Sequence, residues 1–170
     1  MITIICGTHR KESKSLLISN EYLRILNEDG IPAQVLDLKL LPTGFIWDDM
    51  FGEQSEEGKT MIEKYIDKAQ KFVFVVPEYN GSFPGIVKVL LDAVDPEKFK
   101  GKRAALAGVA SGRFGNLRGL DDLTNVLHHL KVEVCPVKIY MPTIFNLLDD
   151  NNRIKDDGLV ERIETQLALL

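Results

Sequence analysis

The residues near the start of the chain carry groups that a phosphate needs. After a short apolar run, positions 6–15 read Cys-Gly-Thr-His-Arg-Lys-Glu-Ser-Lys-Ser. A nucleotide P-loop needs a glycine, four residues, and then Gly-Lys-Ser or Gly-Lys-Thr. Here Lys14 falls one position late, and the residue before it is Ser13 rather than a glycine. Three hypotheses follow: an altered ATP site, a site for another phosphate, or a serine that only caps a helix.

The side chains of this first loop suit one phosphate better than three. Thr8, Ser13 and Ser15 offer hydroxyl donors, and the planar fork of Arg10 matches phosphate oxygens. The start of the following helix adds free N–H groups and the positive end of its dipole. An ATP site also needs a second glycine and a magnesium carboxylate on a neighbouring strand, and the apolar run ending at Val76 supplies no carboxylate. A monophosphate site is therefore favoured over an ATP site.

Two further loops have the composition of ligand-binding loops. Positions 77–85 read Pro-Glu-Tyr-Asn-Gly-Ser-Phe-Pro-Gly, between an apolar run and an apolar helical stripe. Asn80 and Gly81 can adopt positive φ and turn successive N–H groups toward one point, which suits the polar edge of a planar ring. Ser82 is the predicted N-cap of the next helix. Positions 110–119 form the third loop, Ala-Ser-Gly-Arg-Phe-Gly-Asn-Leu-Arg-Gly.

Alternating strand and helix patterns place these three loops. Strands are predicted over 2–5, 33–38, 72–76, 104–110 and 132–140, and a one-faced apolar stripe follows each of them. Strand–helix alternation predicts an α/β fold: a three-layer sandwich with a five-stranded parallel sheet and helices on both faces. The flavodoxin-like strand order 2-1-3-4-5 fits, with residues 1–170 as a single domain. Ligands in such sheets bind at the switch point beyond strands 1 and 3, where the first two loops meet.

The loop sequences resemble one known family. Pro-Glu-Tyr-Asn-Gly-Ser-Phe-Pro-Gly, with its helix to Asp92-Ala93-Val94, resembles the signature of the NAD(P)H-dependent FMN reductases, which are flavodoxin-like flavin, quinone, azo and chromate reductases. The family's first loop reads Gly-Ser-x-Arg-x-x-Ser-x-Asn, and Gly7, Thr8, Arg10 and Ser13 match it with Thr in place of Ser. Ser15 replaces the usual Asn. The resemblance extends to the third loop and to positions 155–159.

The resemblance implies an FMN site made by all three loops. Thr8, Arg10, Ser13 and Ser15 would hold the phosphate. The isoalloxazine ring would lie along Pro77, Glu78, Tyr79, Asn80 and Gly81, mostly against backbone groups, and Ser111 and Gly112 would also contact the cofactor. The resemblance leaves open whether Arg113 or Arg118 meets the nicotinamide cofactor. Trp47 and Phe45, in the long loop over 39–54, belong either to the core or to a surface that covers substrate or a partner.

The implied activity is that of an FMN-dependent oxidoreductase. NADPH or NADH would pass a hydride to bound FMN, which would reduce a quinone, flavin, azo or similar small-molecule acceptor. No side chain is required as an acid or base. The alternative is a flavodoxin-type electron carrier without nicotinamide activity. Such a carrier has an arginine-free first loop with a Thr-Gly-Asn-Thr core, unlike this chain. The family commonly places FMN at a subunit interface, which implies a homodimer or homotetramer.

Composition excludes several other classes. The chain has 170 residues, 45% hydrophobic and 27% charged, and a net charge of −4 that disfavours a nucleic-acid surface. No apolar run approaches the roughly 20 residues that span a bilayer, and no signal pattern is present, so a cytoplasmic location is predicted. Cys6 and Cys135 lie in apolar runs and are predicted to be buried free thiols. The three histidines and the carboxylates show no metal-binding spacing.

Overall fold

Five parallel strands form the centre of the molecule. A computed structural model describes residues 1–170, and the strands are β1 (Ile2–Cys6), β2 (Ala33–Asp37), β3 (Lys71–Pro77), β4 (Arg103–Val109) and β5 (Glu133–Met141). Their order is β2-β1-β3-β4-β5, as predicted, and every neighbouring pair is parallel. All five predicted strands are found, with ends that differ from the predicted ones by at most one residue. The predicted flavodoxin-like α/β architecture is therefore confirmed.

Helices cover both faces of the sheet and complete the three layers. They are α1 (Lys14–Glu28), α2 (Glu56–Ile62, continued by one wider turn, Glu63–Asp67), α3 (Gly85–Ala93), α4 (Leu117–His129) and α5 (Asp157–Leu169). On β3, Phe72 and Phe74 pack with the helices α2, α3 and α4, while Val73 and Val75 pack with α1 and α5. Because both faces are buried, this strand is apolar at successive positions. None of the helices has both the length and the apolar character needed to cross a membrane.

Two serines illustrate how local sequence sets the helix ends. Ser55 is the N-cap of α2, and its Oγ accepts a hydrogen bond from the Gly58 N–H at 3.1 Å. The prediction for Ser82 was wrong. Pro84 occupies the N-cap position of α3, and Ser82 Oγ instead donates to Asp122 at 2.5 Å. The proline displaces the serine because its fixed φ suits the start of the helix.

A buried polar network joins α1, α5 and the sheet. The β4–β5 register shifts between Ala104 and Leu106, which interrupts the regular ladder of hydrogen bonds between the two strands. The fully buried Gln166 donates from Nε2 to the carbonyls of Leu106 at 2.9 Å and Val137 at 2.8 Å. Its Oε1 accepts from the Tyr22 hydroxyl at 2.7 Å. The hydrogen bonds of one amide side chain therefore satisfy buried polar groups beside the register shift and fix α5 against the sheet.

Candidate functional site

A cleft of about 250 Å³ opens beyond the carboxyl ends of β1, β3 and β4, and a side pocket of about 290 Å³ adjoins it. All of the predicted site residues line one or both. Those in the main cleft are Thr8, Arg10, Ser13, Ser15, Pro77, Glu78, Tyr79 and Ser111. Those in the side pocket are Glu78, Asn80, Gly81, Ser111 and Gly112. The fold thus brings together three loops that lie up to about a hundred residues apart in the sequence.

Gly7 allows the start of the first loop, directly after β1, to pack closely against β3. Its N–H donates to the Val75 carbonyl at 2.9 Å. A Cβ at this position would lie 2.4 Å from Val76 Cγ1 and 3.1 Å from Val87 Cγ2, so any side chain would push the loop away from the sheet. Glycine is therefore required here by close packing.

Thr8 lies at the floor of the cleft and is 1% exposed. Its Oγ1 accepts a hydrogen bond from the Arg10 N–H at 3.2 Å and lies 2.7 Å from the Tyr79 hydroxyl. The Arg10 side chain is exposed at the cleft edge. The first loop therefore presents a buried, hydrogen-bonded hydroxyl beside an exposed cation.

Ser13 caps α1 and also lines the cleft. Its Oγ accepts from the Leu16 N–H at 3.2 Å, which uses a lone pair and leaves the hydroxyl proton available. The helix-cap and phosphate-site hypotheses are therefore compatible. Ser15, in the first turn, is buried, and the N–H groups of such a turn have no carbonyl partner within the helix. These N–H groups and the helix dipole favour an anion at this end of the cleft.

Cys6 lies directly beneath this anion-favouring end. Its Sγ is 3.9 Å from Ser13 Oγ and 4.0 Å from the Thr8 carbonyl, and the side chain is fully buried. Burial raises the pKa of the Cys6 thiol from 9.0 to about 11. The thiol is therefore neutral at physiological pH and places no negative charge beneath a bound anion. Cys6 and Cys135 are both free and buried, as predicted.

Lys14 and Phe145 form a wall of the cleft that the sequence did not reveal. Lys14 is partly buried and lines the cleft, with Nζ 5.9 Å from the centre of the Phe145 ring. Phe145 follows β5, two strands away from the switch point. It reaches the cleft because the chain after β5 folds back over the third loop, with the Ile144 N–H donating to the Ala110 carbonyl at 3.0 Å.

The second loop turns sharply at Asn80 and Gly81, which have φ values of 53° and 82°. Tyr79 and Ser82 flank this turn and exchange two backbone hydrogen bonds of 2.9 and 3.1 Å. Two successive residues with positive φ closed by such a pair make a tight two-residue turn, as the Asn-Gly sequence predicts. The Glu78 N–H donates to the Val109 carbonyl at 2.9 Å, whereas the Glu78 side chain is exposed.

Asn116 ties the second and third loops together and was not identified from the sequence. It is fully buried with φ 65°, and its Nδ2 donates to the Val76 carbonyl at 3.0 Å. That carbonyl comes directly before the second loop. Gly119 makes room for the amide, since a Cβ there would lie 2.1 Å from Asn116 Oδ1. Arg113 and Arg118 are both exposed, and Arg113 lies over the Phe114 ring, 5.2 Å from its centre.

The distribution of groups along the cleft fits FMN. One end collects a guanidinium, hydroxyls and a helix N-terminus, which are the groups that hold a phosphate dianion. The other end is a rigid turn with exposed backbone, suited to the edge of a planar ring. No group of three or more His, Cys, Asp or Glu side chains is placed to hold a metal ion. The cleft can therefore bind and orient a phosphorylated ring cofactor.

Comparisons with known proteins agree with this geometry. The family model of NADPH-dependent FMN reductase matches residues 1–145. An NAD(P)H-dependent FMN reductase of Pseudomonas aeruginosa is 29% identical over 145 residues, which is 83% of this chain and 77% of that protein. A quinone reductase of Pseudomonas putida is 22% identical over 160 residues, covering 91% of this chain and 84% of the relative.

A solved structure extends the comparison to the whole chain. The flavoenzyme FerB, an NAD(P)H:(acceptor) oxidoreductase from Paracoccus denitrificans, superposes with a TM-score of 0.81 at 22% identity, over 99% of this chain and 93% of FerB. At this identity the likeness concerns the fold. The family match covers residues 1–145 and therefore all three loops. It confirms the predicted enzyme class, with FMN as the cofactor and NAD(P)H as the electron donor. The chain belongs to the NADPH-dependent FMN reductase family.

Proposed function

We propose that the three loops of this chain hold FMN as their residue types suggest, with residues 1–170 acting as one FMN-binding domain. The phosphate would contact Thr8, Arg10, Ser13 and Ser15. The ring would lie along the backbone of 77–81 and meet Ser111 and Gly112. Bound FMN supplies the redox chemistry, taking electrons from NAD(P)H and passing them to an acceptor. The residues of the chain bind it, orient it and exclude water from one side.

The observation that carries this proposal is that the groups suited to a phosphate and the turn suited to a ring edge lie in different parts of the cleft. The guanidinium, the hydroxyls and the α1 N-terminus lie at one end, and the rigid Asn80–Gly81 turn lies at the other. Backbone N–H dipoles at the turn would stabilise negative charge on the ring edge without any side chain changing its protonation state. The exposed side chain of Glu78 has no hydrogen-bonded partner that would make it part of a proton-transfer pair.

Arg10 gives the sharpest test of the phosphate assignment. A charge-assisted hydrogen bond is worth about 1.5–3 kcal/mol, so Arg10→Ala should weaken FMN binding about 10- to 100-fold. Lys11→Ala is the matched control, because Lys11 also is exposed, lines the cleft and carries one positive charge. We expect less than about a 3-fold loss for Lys11→Ala, since an ammonium lacks the planar fork. Equal losses in a titration of flavin fluorescence would mean that only diffuse charge matters.

We further propose that the chain forms a homodimer or homotetramer through an apolar groove between α3 and α4. The groove has a volume of about 680 Å³, and Leu91, Val126 and Leu130 line it together with Phe51, which is 90% exposed. Trp47, in the long loop over 39–54, is 85% exposed, as a residue of a partner surface would be. Phe45, its neighbour in the loop, belongs to the core.

Sedimentation of the purified protein tests this assembly. The wild type should sediment as a dimer or tetramer at micromolar concentration, and Phe51→Asp should shift it toward the monomer. Leu169→Asp is the control, because Leu169 is also exposed but lies on α5 against the opposite face of the sheet. A monomeric wild type, or equal effects of the two variants, would reject the groove as the interface.

The physiological acceptor and location are also proposals. A small molecule such as a quinone, free flavin or azo compound fits an open cleft with an exposed ring loop. Two buried free thiols and no disulfide suit the cytoplasm. A panel of acceptors, assayed by steady-state NADH and NADPH oxidation, would rank the acceptor classes. Oxidation of neither nucleotide with any acceptor would favour the flavodoxin-type carrier instead.

A further inference from the structure

The hydroxyl of Tyr79 lies at the phosphate end of the cleft, not at the ring end. Tyr79 belongs to the second loop, yet its hydroxyl is 2.7 Å from Oγ1 of Thr8 in the first loop. The backbone on both sides of Tyr79 is fixed, because it exchanges two hydrogen bonds with Ser82 across the tight turn. The phenol is therefore held across the cleft by a rigid loop, and it links the two loops directly.

The contact with Tyr79 restricts how the hydroxyl group of Thr8 can hydrogen-bond. Its hydroxyl oxygen has one proton and two lone pairs, and one lone pair already accepts the Arg10 N–H at 3.2 Å. A phenol is a stronger donor than an aliphatic alcohol, so the favoured arrangement has Tyr79 donating to Thr8. Both lone pairs of the threonine are then occupied. Its own proton is then left for a third partner, and Thr8 lines the cleft in which such a partner would bind.

We infer that Tyr79 is a positioning residue that aims the Thr8 proton at the phosphate of FMN. Donation from Tyr79 to Thr8 and from Thr8 to a phosphate oxygen forms a chain in which each bond polarises the next. A phosphate oxygen near Thr8 then meets a proton and no lone pair. This inference rests on the proposed placement of the phosphate, and it assigns Tyr79 a role in recognising the phosphate in addition to its backbone contact with the ring.

The role predicts selectivity between FMN and riboflavin, which lacks the phosphate. Tyr79→Phe keeps the ring and the loop but removes the hydroxyl, so Thr8 can turn its proton away from the cleft. We expect FMN to bind about 5- to 20-fold more weakly to this variant, from the partial loss of one charge-assisted hydrogen bond. Riboflavin affinity should change by less than about 2-fold. A residue that merely packed against the ring would weaken both ligands equally.

A double-mutant cycle with Thr8 separates coupling from independent effects. Thr8→Val should also lose FMN selectively, and Tyr79→Phe should cost little more in the Thr8→Val background. Thr8→Ser keeps the hydroxyl, so Tyr79→Phe should still weaken FMN binding selectively in the Thr8→Ser background. Binding is followed by quenching of flavin fluorescence in the apoprotein, so no turnover is needed. The FMN-to-riboflavin ratio refers to the same folded fraction and is unaffected by a change in stability.

The outcomes distinguish this inference from the proposal on which it depends. If the wild type binds FMN no more tightly than riboflavin, the phosphate assignment itself is wrong. If the wild type is selective and Tyr79→Phe is equally selective, the assignment stands and Tyr79 has no positioning role. Additive effects of Tyr79→Phe and Thr8→Val would also overturn the inference. Loss of selectivity in both single variants, without a further loss in the double variant, would support it.

Discussion

The buried thiol of Cys6 makes this protein less stable as the pH rises into the alkaline range. In the folded state the pKa of the thiol is raised from 9.0 to about 11 by burial, and unfolding returns it to its ordinary value. Below pH 9 the thiol is protonated in both states and contributes no pH dependence. Between pH 9 and 11 the unfolded chain loses the proton and the folded chain keeps it, so the free energy of unfolding falls as the pH rises.

The size of this effect follows from the shift of the pKa. One unit corresponds to about 1.4 kcal/mol, so the whole shift is worth about 3 kcal/mol, and about half of it is lost by pH 10. Tyr22 adds to the loss at higher pH, because burial also raises the pKa of its phenol. Cys6→Ala removes only the thiol contribution. Any cavity that the substitution creates costs the same free energy at every pH.

The assay is denaturant unfolding of wild type and Cys6→Ala at pH 8 and pH 10. The difference in unfolding free energy between the two proteins should shrink by about 1–2 kcal/mol at the higher pH, because the wild type loses stability that the variant never had. Tyr22 is present in both proteins and cancels. A difference that stays constant from pH 8 to pH 10 would refute the argument that the thiol is held neutral beneath the first loop.

Two further substitutions test the positions that shape the sheet and the cleft. Gln166→Leu removes the hydrogen bonds of this amide to two backbone carbonyls and to the Tyr22 hydroxyl, so it should lower the unfolding free energy by at least about 3 kcal/mol. Tyr22→Phe, measured beside it by denaturant unfolding, should cost less because it removes only one of these hydrogen bonds. Gly7→Ala should lower the free energy of unfolding by about 1–3 kcal/mol, because the added methyl group would overpack against Val76. The same substitution should weaken FMN binding by displacing the first loop. Wild-type FMN binding by the variant would show that the close contact between this loop and β3 is not needed.

Sequence patterns predicted the fold well because its determinants are local. The unbroken apolar run at 72–76 is typical of a strand buried on both faces, and the structure has such a strand there. Once the strands alternated with helices, the rules for parallel sheets brought the three loops to one edge. The roles of individual loop residues came from the resemblance to a family and not from periodicity.

The residues that were missed depend on contacts between distant segments. Lys14 and Phe145 line the same wall of the cleft, and no pattern within either segment predicts that the two side chains lie close together. Asn116 looked like an ordinary polar loop residue, although its amide supports the end of β3. Gln166 lies in the terminal helix α5, and its hydrogen bond to the Leu106 carbonyl beside the register shift exists only in the assembled sheet. Such roles arise from tertiary structure.

Anaerobic reduction of the FMN-loaded protein tests the central claim most directly. We expect the purified chain to bind one FMN per protomer, and we expect NADPH or NADH, added without oxygen, to bleach the absorbance of the bound flavin. A quinone or free flavin added afterwards should restore the oxidised spectrum. A protein that binds no FMN, or whose bound flavin keeps its colour with both nucleotides, would contradict it.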